Sequence, residues 1–267
     1  MKKKFKFGVI GAGFMSKAII NGALKSNILS PLDIIVSDNN PNSLTDLSNI
    51  GIFTVQDNNQ VLSCAEYVLF AIKPQTFYSI ASEISSTDNL KLISIMAGVK
   101  KEKIKSYFTN SKIVRSMPNT PCSLGCGAVG IDASEFNDEN DFTFIKSLFS
   151  SFAKVVFVEE EKLNTVTALS GSSPAYFYLF VKYLVEAGVR RGLKHDDALA
   201  LVTNTMIGSG KMILTCEKSL DDLINAVCSK GGTTIEAINS FNENELEKII
   251  ENAVSSCERR ASELEEN

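Results

Sequence analysis

The sequence predicts a doubly wound α/β domain in the N-terminal part of the chain and an all-α region after it. In residues 1–160, short apolar runs alternate with segments of helical periodicity, which is the pattern of repeated β-α-β units. Four of these runs are almost continuously apolar, as is typical of parallel strands buried on both faces. They lie at residues 7–10, 34–36, 67–72 and 92–96. After the acidic run 159–161 no convincing strand pattern follows.

Eight strands and six helices are expected in the first domain. The expected strands are Phe5–Ile10, Asp33–Ser37, Ile52–Val55, Tyr67–Ile72, Leu92–Met96, Ile113–Met117, Ala128–Ile131 and Val155–Val158. The expected helices are 15–27, 41–49, 59–64, 75–86, 100–107 and 138–152. Their alternation implies helices on both faces of the sheet.

The region after residue 160 has only helical patterns. One long helix is expected over Leu163–Arg191, with Pro174 as a kink and Gly192 as its end. A second helix is expected from residue 196 to about 215. Ser219 then has the character of a capping residue at the start of a third helix.

Two helical stretches of this region, 175–189 and 198–213, contain few charged residues. Helices that are apolar on most sides need cover nearly all round, and a short helical region can barely supply it alone. We therefore expect an all-α dimerisation domain that packs against a second copy of the chain. The alternative is a self-contained bundle.

Composition limits the classes of partner and site. The 267 residues have a net charge of −4, which gives no electrostatic footprint for nucleic acid. The longest apolar stretch, 175–185, is shorter than the ~20 residues that span a bilayer, so no membrane partner is expected.

The basic cluster 2–4 precedes a run too short and glycine-rich for a secretory signal, which predicts a cytoplasmic protein with reduced cysteines. Cys122 and Cys126 are the only close pair and His195 the only histidine, so no metal site is expected.

A glycine loop follows the first expected strand and precedes a helix. In G-V-I-G-A-G-F-M-S-K-A-I-I, residues 8–20, Gly11 permits the tight turn and Gly13 lets the backbone approach a pyrophosphate at the helix N-terminus. Ser16 takes the third fingerprint position, where a small side chain lets the helix pack closely on the strand. The loop predicts a dinucleotide-binding (Rossmann) domain. The alternative is another protein with this fold, such as an S-adenosylmethionine-dependent methyltransferase.

The second expected strand ends next to Asp38, where an acidic side chain can accept a hydrogen bond from a ribose 2′-hydroxyl. This favours NAD, and no Arg or Lys follows to pair with a 2′-phosphate. Ser37, Asn39 or Asn40 could still hydrogen-bond such a phosphate, and Asp38 could be only a turn residue in D-N-N-P. The sequence therefore leaves the coenzyme open as NADP(H) or NAD(H).

Three further motifs stand at the expected C-terminal ends of strands, where open α/β sheets bind ligands. They are A-I-K-P-Q (71–75), M-A-G (96–98) and R-S-M-P-N-T-P (115–121). Each of them, taken alone, could be only a loop or a turn.

Together with the glycine loop and the helical region, these motifs resemble the Δ1-pyrroline-5-carboxylate reductase family. The resemblance runs over essentially the whole chain and includes L-S-G-S-S-P-A-Y (169–176), E-A-G-V (186–189) and G-G-T-T (231–234). It implies a dinucleotide-binding Rossmann domain at 1–160 and a helical substrate-binding and dimerisation domain at 161–267. It also implies NAD(P)H-dependent reduction of the C=N bond of pyrroline-5-carboxylate to L-proline. Lys230 and Ser173 depart from the family's usual proline and glycine.

The resemblance also implies which residues bind the coenzyme. It places the pyrophosphate region at Ile10, Gly11, Ala12, Gly13, Phe14 and Met15, and the adenosine ribose at Ser37, Asp38 and Asn58. It places Ala71, Ile72, Lys73 and Pro74 along the coenzyme, with Met96 and Ala97 close to the nicotinamide. Asn119 is expected to touch the nicotinamide or the substrate.

Reduction of a cyclic imine needs a hydride on one face of the ring and a protonated nitrogen, and a small imine can take that proton from water. The enzyme's work is then mostly positioning. Lys73 is expected either to attract the anionic substrate or only to be an exposed lysine at a strand end. Glu160 is expected either to face the imine nitrogen or to belong to a solvated acidic run.

The substrate's fixed handle is its carboxylate. Successive backbone N–H groups at a glycine-rich helix entry form an anion nest. We therefore expect the carboxylate at Ser229, Gly231, Gly232, Thr233 and Thr234. Thr234 is also expected to cap a helix over Ile235–Ser240.

Two other functions stay open from the sequence. The first is a related imine or β-hydroxyacid reductase with the same two-domain plan. The second is a non-catalytic homologue that binds the dinucleotide without turnover.

Overall fold

A sheet of eight strands forms the centre of the N-terminal part. The structure, a computed structural model, describes residues 4–84 and 89–266. The strands are β1 (Phe5–Ile10), β2 (Ile34–Ser37), β3 (Phe53–Val55), β4 (Ala65–Phe70), β5 (Lys91–Ser94), β6 (Lys112–Pro118), β7 (Gly127–Asp132) and β8 (Ala153–Phe157). They lie in the order β3-β2-β1-β4-β5-β6-β7-β8, and in the described chain all neighbours are parallel except β6 and β7. The eight predicted strands are confirmed, with ends shifted by no more than two residues.

Helices cover both faces of this sheet. They are α1 (Phe14–Lys25), α2 (Pro41–Asn49), α3 (Asn58–Cys64), α4 (Pro74–Ser82), α5 (Lys101–Lys105) and α6 (Glu139–Ser150). The six predicted helices are confirmed, although four end earlier than predicted. For α1 the reason is Asn27, whose left-handed conformation (φ 55°) cannot continue a helix. Residues 85 and 86 of the predicted helix 75–86, and Lys2 and Lys3 of the basic cluster, lie outside the described residues.

Two apolar cores, one on each face, hold these helices to the sheet. The first packs α1, α2 and α6 and includes Ile19 and Phe149, whereas the second packs α3, α4 and α5 and includes Phe77. Val9 and Ile10 are neighbours in β1 and belong to different cores. Successive strand side chains point to opposite faces, so a strand covered on both faces needs an unbroken apolar run.

The prediction of one helix over Leu163–Arg191 is wrong. The structure has α7 (Leu163–Val166), a π-helical turn (Thr167–Gly171) and α8 (Ser173–Val189). The irregularity comes before Pro174, which lies in the first turn of α8, where a missing N–H costs no helical hydrogen bond. The chain then turns at Gly192, whose φ is 96°.

The C-terminal part is helical, as predicted. Its helices after α8 are α9 (His195–Thr215), α10 (Leu220–Val227), α11 (Thr233–Glu243) and α12 (Leu246–Glu266). The predicted cap at Ser219 is confirmed, since its Oγ accepts a hydrogen bond of 3.1 Å from the N–H of Asp222. Among the described residues, no helix is both long and apolar enough to cross a membrane.

The chain packs as two compact units. One comprises the residues up to Pro174 together with those from Ser256 onward, and the other comprises Ala175–Ser255. The domain boundary between residues 160 and 161 stays a prediction. In the second unit many large apolar side chains of α8 and α9 are exposed in the single chain, among them Phe177, Tyr178, Phe180, Tyr183, Leu201, Ile207, Ile213 and Leu214.

Candidate active site

The glycine loop lies at the ends of β1 and β4. In the strand order, the direction of winding changes between these two strands, which is where open α/β sheets bind ligands. Gly11 has a φ of 100°, and a Cβ at this position would lie 2.6 Å from the carbonyl oxygen of Ala71. Its N–H donates a hydrogen bond of 2.8 Å to the carbonyl of Ser37. Only glycine therefore fits this turn without strain.

Gly13 leaves open space at the N-terminus of α1. A Cβ built on Gly13 would meet no heavy atom of the described residues within 4 Å, and Gly13 caps α1 without a side-chain hydrogen bond. The first-turn N–H groups are therefore available to an anion, and that turn contains no acidic residue. Ser16 is buried, and its Oγ donates to the carbonyl of Gly13 at 2.9 Å. This geometry is compatible with the predicted pyrophosphate contact, which stays a prediction.

The end of β2 is hydrogen-bonded to the glycine loop. Asp38 Oδ2 accepts a bond of 2.7 Å from the N–H of Ala12, and its Oδ1 accepts one of 2.8 Å from the N–H of Asn40. The buried Ser37 hydroxyl donates to Asn58 Oδ1 at 2.7 Å. Asp38 is partly exposed, and each carboxylate oxygen keeps lone-pair capacity. The structure thus brings together Ser37, Asp38 and Asn58, whose contact with the ribose stays a prediction.

The segment after β4 lies beside the same loop. The N–H of Ala71 donates to the carbonyl of Ile10 at 2.9 Å, and Ile72 Cγ2 is 2.9 Å from the position that a Gly11 Cβ would occupy. Lys73 is exposed and is the N-cap residue of α4, which begins at Pro74. Exposure of Lys73 is compatible with both of the roles expected for it.

The loop after β5 contains Met96 and Ala97, predicted to lie near the nicotinamide. Met96 is buried and Ala97 is half-buried. The N–H of Met96 donates to Ser94 Oγ at 3.2 Å, and Ser116 Oγ donates to the carbonyl of Ser94 at 3.2 Å. The neighbouring strand β6 thus helps to fix this loop.

Both ends of the Asn119 amide form hydrogen bonds within the protein. Its Nδ2 donates to the carbonyl of Ser170 at 3.2 Å, and its Oδ1 accepts from the N–H of Ala128 at 3.0 Å. These bonds fasten the loop after β6 to the π-helical turn and to β7. The predicted contact with nicotinamide or substrate stays a prediction. Burial raises the pKa of the nearby Cys122 thiol, which favours its protonated form.

Glu160 is the partner of a buried arginine. Its Oε1 accepts a hydrogen bond of 2.8 Å from Arg115 Nη1 and another of 2.8 Å from the N–H of Lys101. The Arg115 side chain is only 3% exposed, so it needs a carboxylate partner. These contacts indicate a structural role for Glu160, and they give no support to the predicted contact with the imine nitrogen. The predicted contact of Glu160 with the imine nitrogen stays a prediction.

Arg115 begins the motif R-S-M-P-N-T-P, but the motif alone did not predict a role for it. An arginine inside an otherwise apolar strand pattern is itself a signal, because a buried guanidinium requires a carboxylate. The second carboxylate that faces Arg115 belongs to Glu265, 150 positions away in the sequence. No local pattern could have identified that residue.

The G-G-T-T segment forms the entry of α11. Gly231 has a φ of 73°, and a Cβ on Gly232 would lie 2.4 Å from Ser229 Oγ. The prediction that Thr234 caps a helix over Ile235–Ser240 is wrong, because the helix already begins at Thr233 with Gly232 as its N-cap. The reason is the tight turn before it, in which the N–H of Gly232 donates to the carbonyl of Ser229 at 2.9 Å. Gly232 offers no side-chain cap, so the N–H groups of the first turn are available to an anion.

Two protein-family models match the chain. Residues 6–98 match the family described as "NADP oxidoreductase coenzyme F420-dependent". Residues 160–264 match the family described as "Pyrroline-5-carboxylate reductase dimerisation".

Individual relatives resemble the chain over nearly its full length. A pyrroline-5-carboxylate reductase from Haemophilus influenzae is 36% identical over 261 residues, which cover 96% of this chain and 96% of that protein. The solved structure of such a reductase from Coxiella burnetii has a TM-score of 0.88 and 32% identity, with 98% of this chain and 99% of that chain covered. Plasmodium falciparum pyrroline carboxylate reductase with NADP bound has a TM-score of 0.85 and 26% identity, with 98% and 99% covered.

Proposed function

This chain belongs to the pyrroline-5-carboxylate reductase family, and from that premise we propose how its residues divide the work. It is an NAD(P)H-dependent oxidoreductase that reduces the C=N bond of 1-pyrroline-5-carboxylate to give L-proline, the last step of proline biosynthesis. The observation that carries this conclusion is the similarity of the chain, over nearly its full length, to pyrroline-5-carboxylate reductases. The open space at Gly13 in the glycine loop agrees with it.

We propose that the ends of β1, β2, β4 and β5 bind the coenzyme. The pyrophosphate lies on the N–H groups at the start of α1, and the adenosine ribose lies beside Asp38, which is already held against the loop. Met96 and Ala97 position the nicotinamide, and the bound coenzyme supplies the hydride. The remaining proposed contacts are Ile10, Gly11, Ala12, Gly13, Phe14, Met15, Ser37, Asn58, Ala71, Ile72, Lys73, Pro74 and Asn119.

We propose that the entry of α11 binds the substrate carboxylate. Its donors are the N–H groups that follow Gly232 and the hydroxyl groups of Ser229, Thr233 and Thr234. Lys73 is exposed and adds a positive charge for the anionic substrate. With Glu160 bound to Arg115, the imine nitrogen takes its proton from water. Rate enhancement then comes mainly from orientation of the imine against the nicotinamide.

We propose that the protein forms a homodimer through α8 and α9. The support is the match of residues 160–264 to a dimerisation family and the exposure of large apolar side chains in the single chain. Light scattering should give twice the chain mass, and Leu201→Asp, on that exposed surface, should shift the protein toward monomer. A monomeric wild-type protein would contradict the proposal.

We also propose a cytoplasmic location. None of the six cysteines is in a disulfide in the described part of the chain, which fits a reducing compartment. Fractionation of cells that produce the protein would test this location, and recovery of the protein outside the cytoplasm would overturn it.

The activity is tested by steady-state assays with NADH and NADPH in parallel. Pyrroline-5-carboxylate, piperideine-6-carboxylate and a small β-hydroxyacid are compared as substrates. We expect the highest kcat/KM with pyrroline-5-carboxylate. Absence of coenzyme oxidation with that imine, despite coenzyme binding by calorimetry, would instead identify a non-catalytic homologue.

A further inference from the structure

The loop that joins β5 to α5 is also held by the end of α12. Gly98 has a φ of 70°, and a Cβ on it would lie 2.8 Å from Leu264 Cβ and 3.1 Å from the Leu264 carbonyl carbon. Gly98 therefore packs closely against Leu264 of the helix, and a side chain at position 98 would collide with that residue. Both residues belong to the same compact unit.

Glu265 adds a charged contact beside this packing. Its side chain is only 8% exposed, and its Oε2 lies 3.3 Å from Lys100 Nζ. Its Oε1 lies 3.5 Å from Arg115 Nη2, on strand β6. The Glu265 carboxylate thus links Lys100, two positions after Gly98, to Arg115 in β6, the strand next to β5. Because the Arg115 and Glu265 side chains are both largely shielded from water, their attraction is stronger than that of a surface pair, whereas Lys100 is exposed.

Further contacts fix the end of α12 in place. Asn164 Nδ2 donates to Ser262 Oγ at 3.2 Å, and Cys257 Sγ lies 3.4 Å from Ser172 Oγ. Ala261, one turn before Leu264, is buried. These contacts attach the end of α12 to the segment 164–172.

We propose that Leu264 and Glu265 are positioning residues for the nicotinamide. This rests on the proposed function, which places the nicotinamide at Met96 and Ala97, directly before Gly98. Hydride transfer requires the reacting atoms to be about 3–3.5 Å apart and aligned, so a small displacement of this loop costs turnover. The adenosine half binds elsewhere in the proposal, at the end of β2, which β1 and β4 separate from β5 in the sheet.

The test compares two ligands that differ only in the nicotinamide. Calorimetry on the full chain measures Kd for NADPH and for 2′-phospho-ADP-ribose, which lacks that ring. For the double variant Leu264→Ala, Glu265→Gln we expect a roughly tenfold weaker Kd for NADPH and an unchanged Kd for the fragment. Glu263→Gln is the matched control on the same helix, because Glu263 forms ion pairs with Arg259 and Arg260 of α12. This control should change neither Kd.

An effect of charge alone and a folding defect can each be distinguished from the positioning role. Removal of the negative charge of Glu265 would by itself strengthen the binding of any anion. A weaker affinity for NADPH alone is the opposite result and cannot come from that charge effect. If the double variant does not fold, Lys100→Gln is used, since Lys100 is exposed and its loss removes only one contact of Glu265. We expect it to weaken NADPH binding by a few-fold and to weaken binding of the fragment clearly less, since loss of the charge alone acts on both anions.

Equal weakening of both ligands, or no change for NADPH in any of these variants, would overturn the positioning role. Failure of the wild-type protein to reduce pyrroline-5-carboxylate would refute the proposed function instead. The two results are distinguishable because the binding comparison does not require turnover.

Discussion

The Asp38 carboxylate accepts a hydrogen bond of 2.7 Å from the N–H of Ala12, which ties the end of β2 to the glycine loop. The same carboxylate would face the 2′-position of a bound ribose, where a phosphate would meet a like charge. We expect Asp38→Asn to raise the ratio of kcat/KM for NADPH to that for NADH by roughly tenfold, because the amide still accepts from Ala12 without repelling the phosphate. Asp46→Asn, at an exposed carboxylate of α2, should leave the ratio unchanged. An unchanged ratio in Asp38→Asn would show that Asp38 does not discriminate between the coenzymes.

Gly11 and Gly13 should respond differently to alanine. At Gly11 the φ of 100° and the Ala71 carbonyl both exclude a Cβ, so we expect Gly11→Ala to lower the free energy of unfolding by about 1–3 kcal/mol. At Gly13 there is room for the methyl group, so Gly13→Ala should unfold at the wild-type temperature. It should nevertheless raise KM for the coenzyme, because the methyl group enters the space proposed for the pyrophosphate. Calorimetric unfolding and coenzyme titration measure the two effects, and equal destabilisation by both changes would contradict the assignment.

The substrate role of Thr234 can be tested by removal of its hydroxyl group. We expect Thr234→Ala to raise KM for the imine by roughly tenfold or more, the loss of one hydrogen bond to a charged group, with Kd for NADPH unchanged. Thr215→Ala is a suitable control, since the Thr215 hydroxyl donates within its own helix to the carbonyl of Lys211 at 2.9 Å. Parallel losses of imine and coenzyme affinity would argue against a carboxylate site at this helix entry.

Glu160→Gln should affect stability more than chemistry. The change weakens the bond to buried Arg115, and we expect a loss of about 1–3 kcal/mol, less than for a fully buried pair because Glu160 is partly exposed. The shape of the pH profile of kcat should stay that of the wild type. Loss of one limb of that profile would restore Glu160 as a proton donor to the imine.

Asp141 should make the stability of the α/β unit depend on acid pH. Burial acts to raise its pKa, but hydrogen bonds from Lys91 and Tyr67 outweigh burial and hold the pKa below the ordinary 3.8. A carboxyl group with a lower pKa in the folded state stabilises fully above its unfolded value, and this contribution is lost as pH falls through the folded value. Urea unfolding should therefore show stability falling below about pH 4, with a flatter dependence in Asp141→Asn. Equal slopes for the two proteins would contradict this account.

The strands were predictable because a strand that is buried on both faces appears in the sequence as a continuous apolar run. Val9 and Ile10 pack into different cores, so both must be apolar, and the same demand repeats in each central strand. The glycine loop was predictable because Gly11 needs a backbone conformation that other residues rarely adopt. Both signals are local, which is why a single sequence was sufficient.

The sequence did not predict three features, and one of them depends on a distant part of the chain. Glu160 lies in an acidic run that resembles a solvated surface, and only the fold shows that Arg115 faces it. The π-helical turn before α8 has no pattern that distinguishes it from a continuous helix. Thr234 has the chemistry of a cap, but the turn at Gly232 starts the helix earlier.

The return of α12 to the first unit has a consequence for how the protein is made. Arg115 and Glu265 are 150 positions apart, and all of Ala175–Ser255 is synthesised between the two segments of that unit. Closing so long a loop adds little entropy cost, because that cost rises only with the logarithm of length, but non-local contacts of this kind slow folding. While the ribosome is still translating the helical residues, the sheet can form and Arg115 can pair with Glu160, but the contacts of Gly98 and Arg115 with α12 are missing. The coenzyme-binding unit is therefore finished only after its C-terminal segment leaves the ribosome.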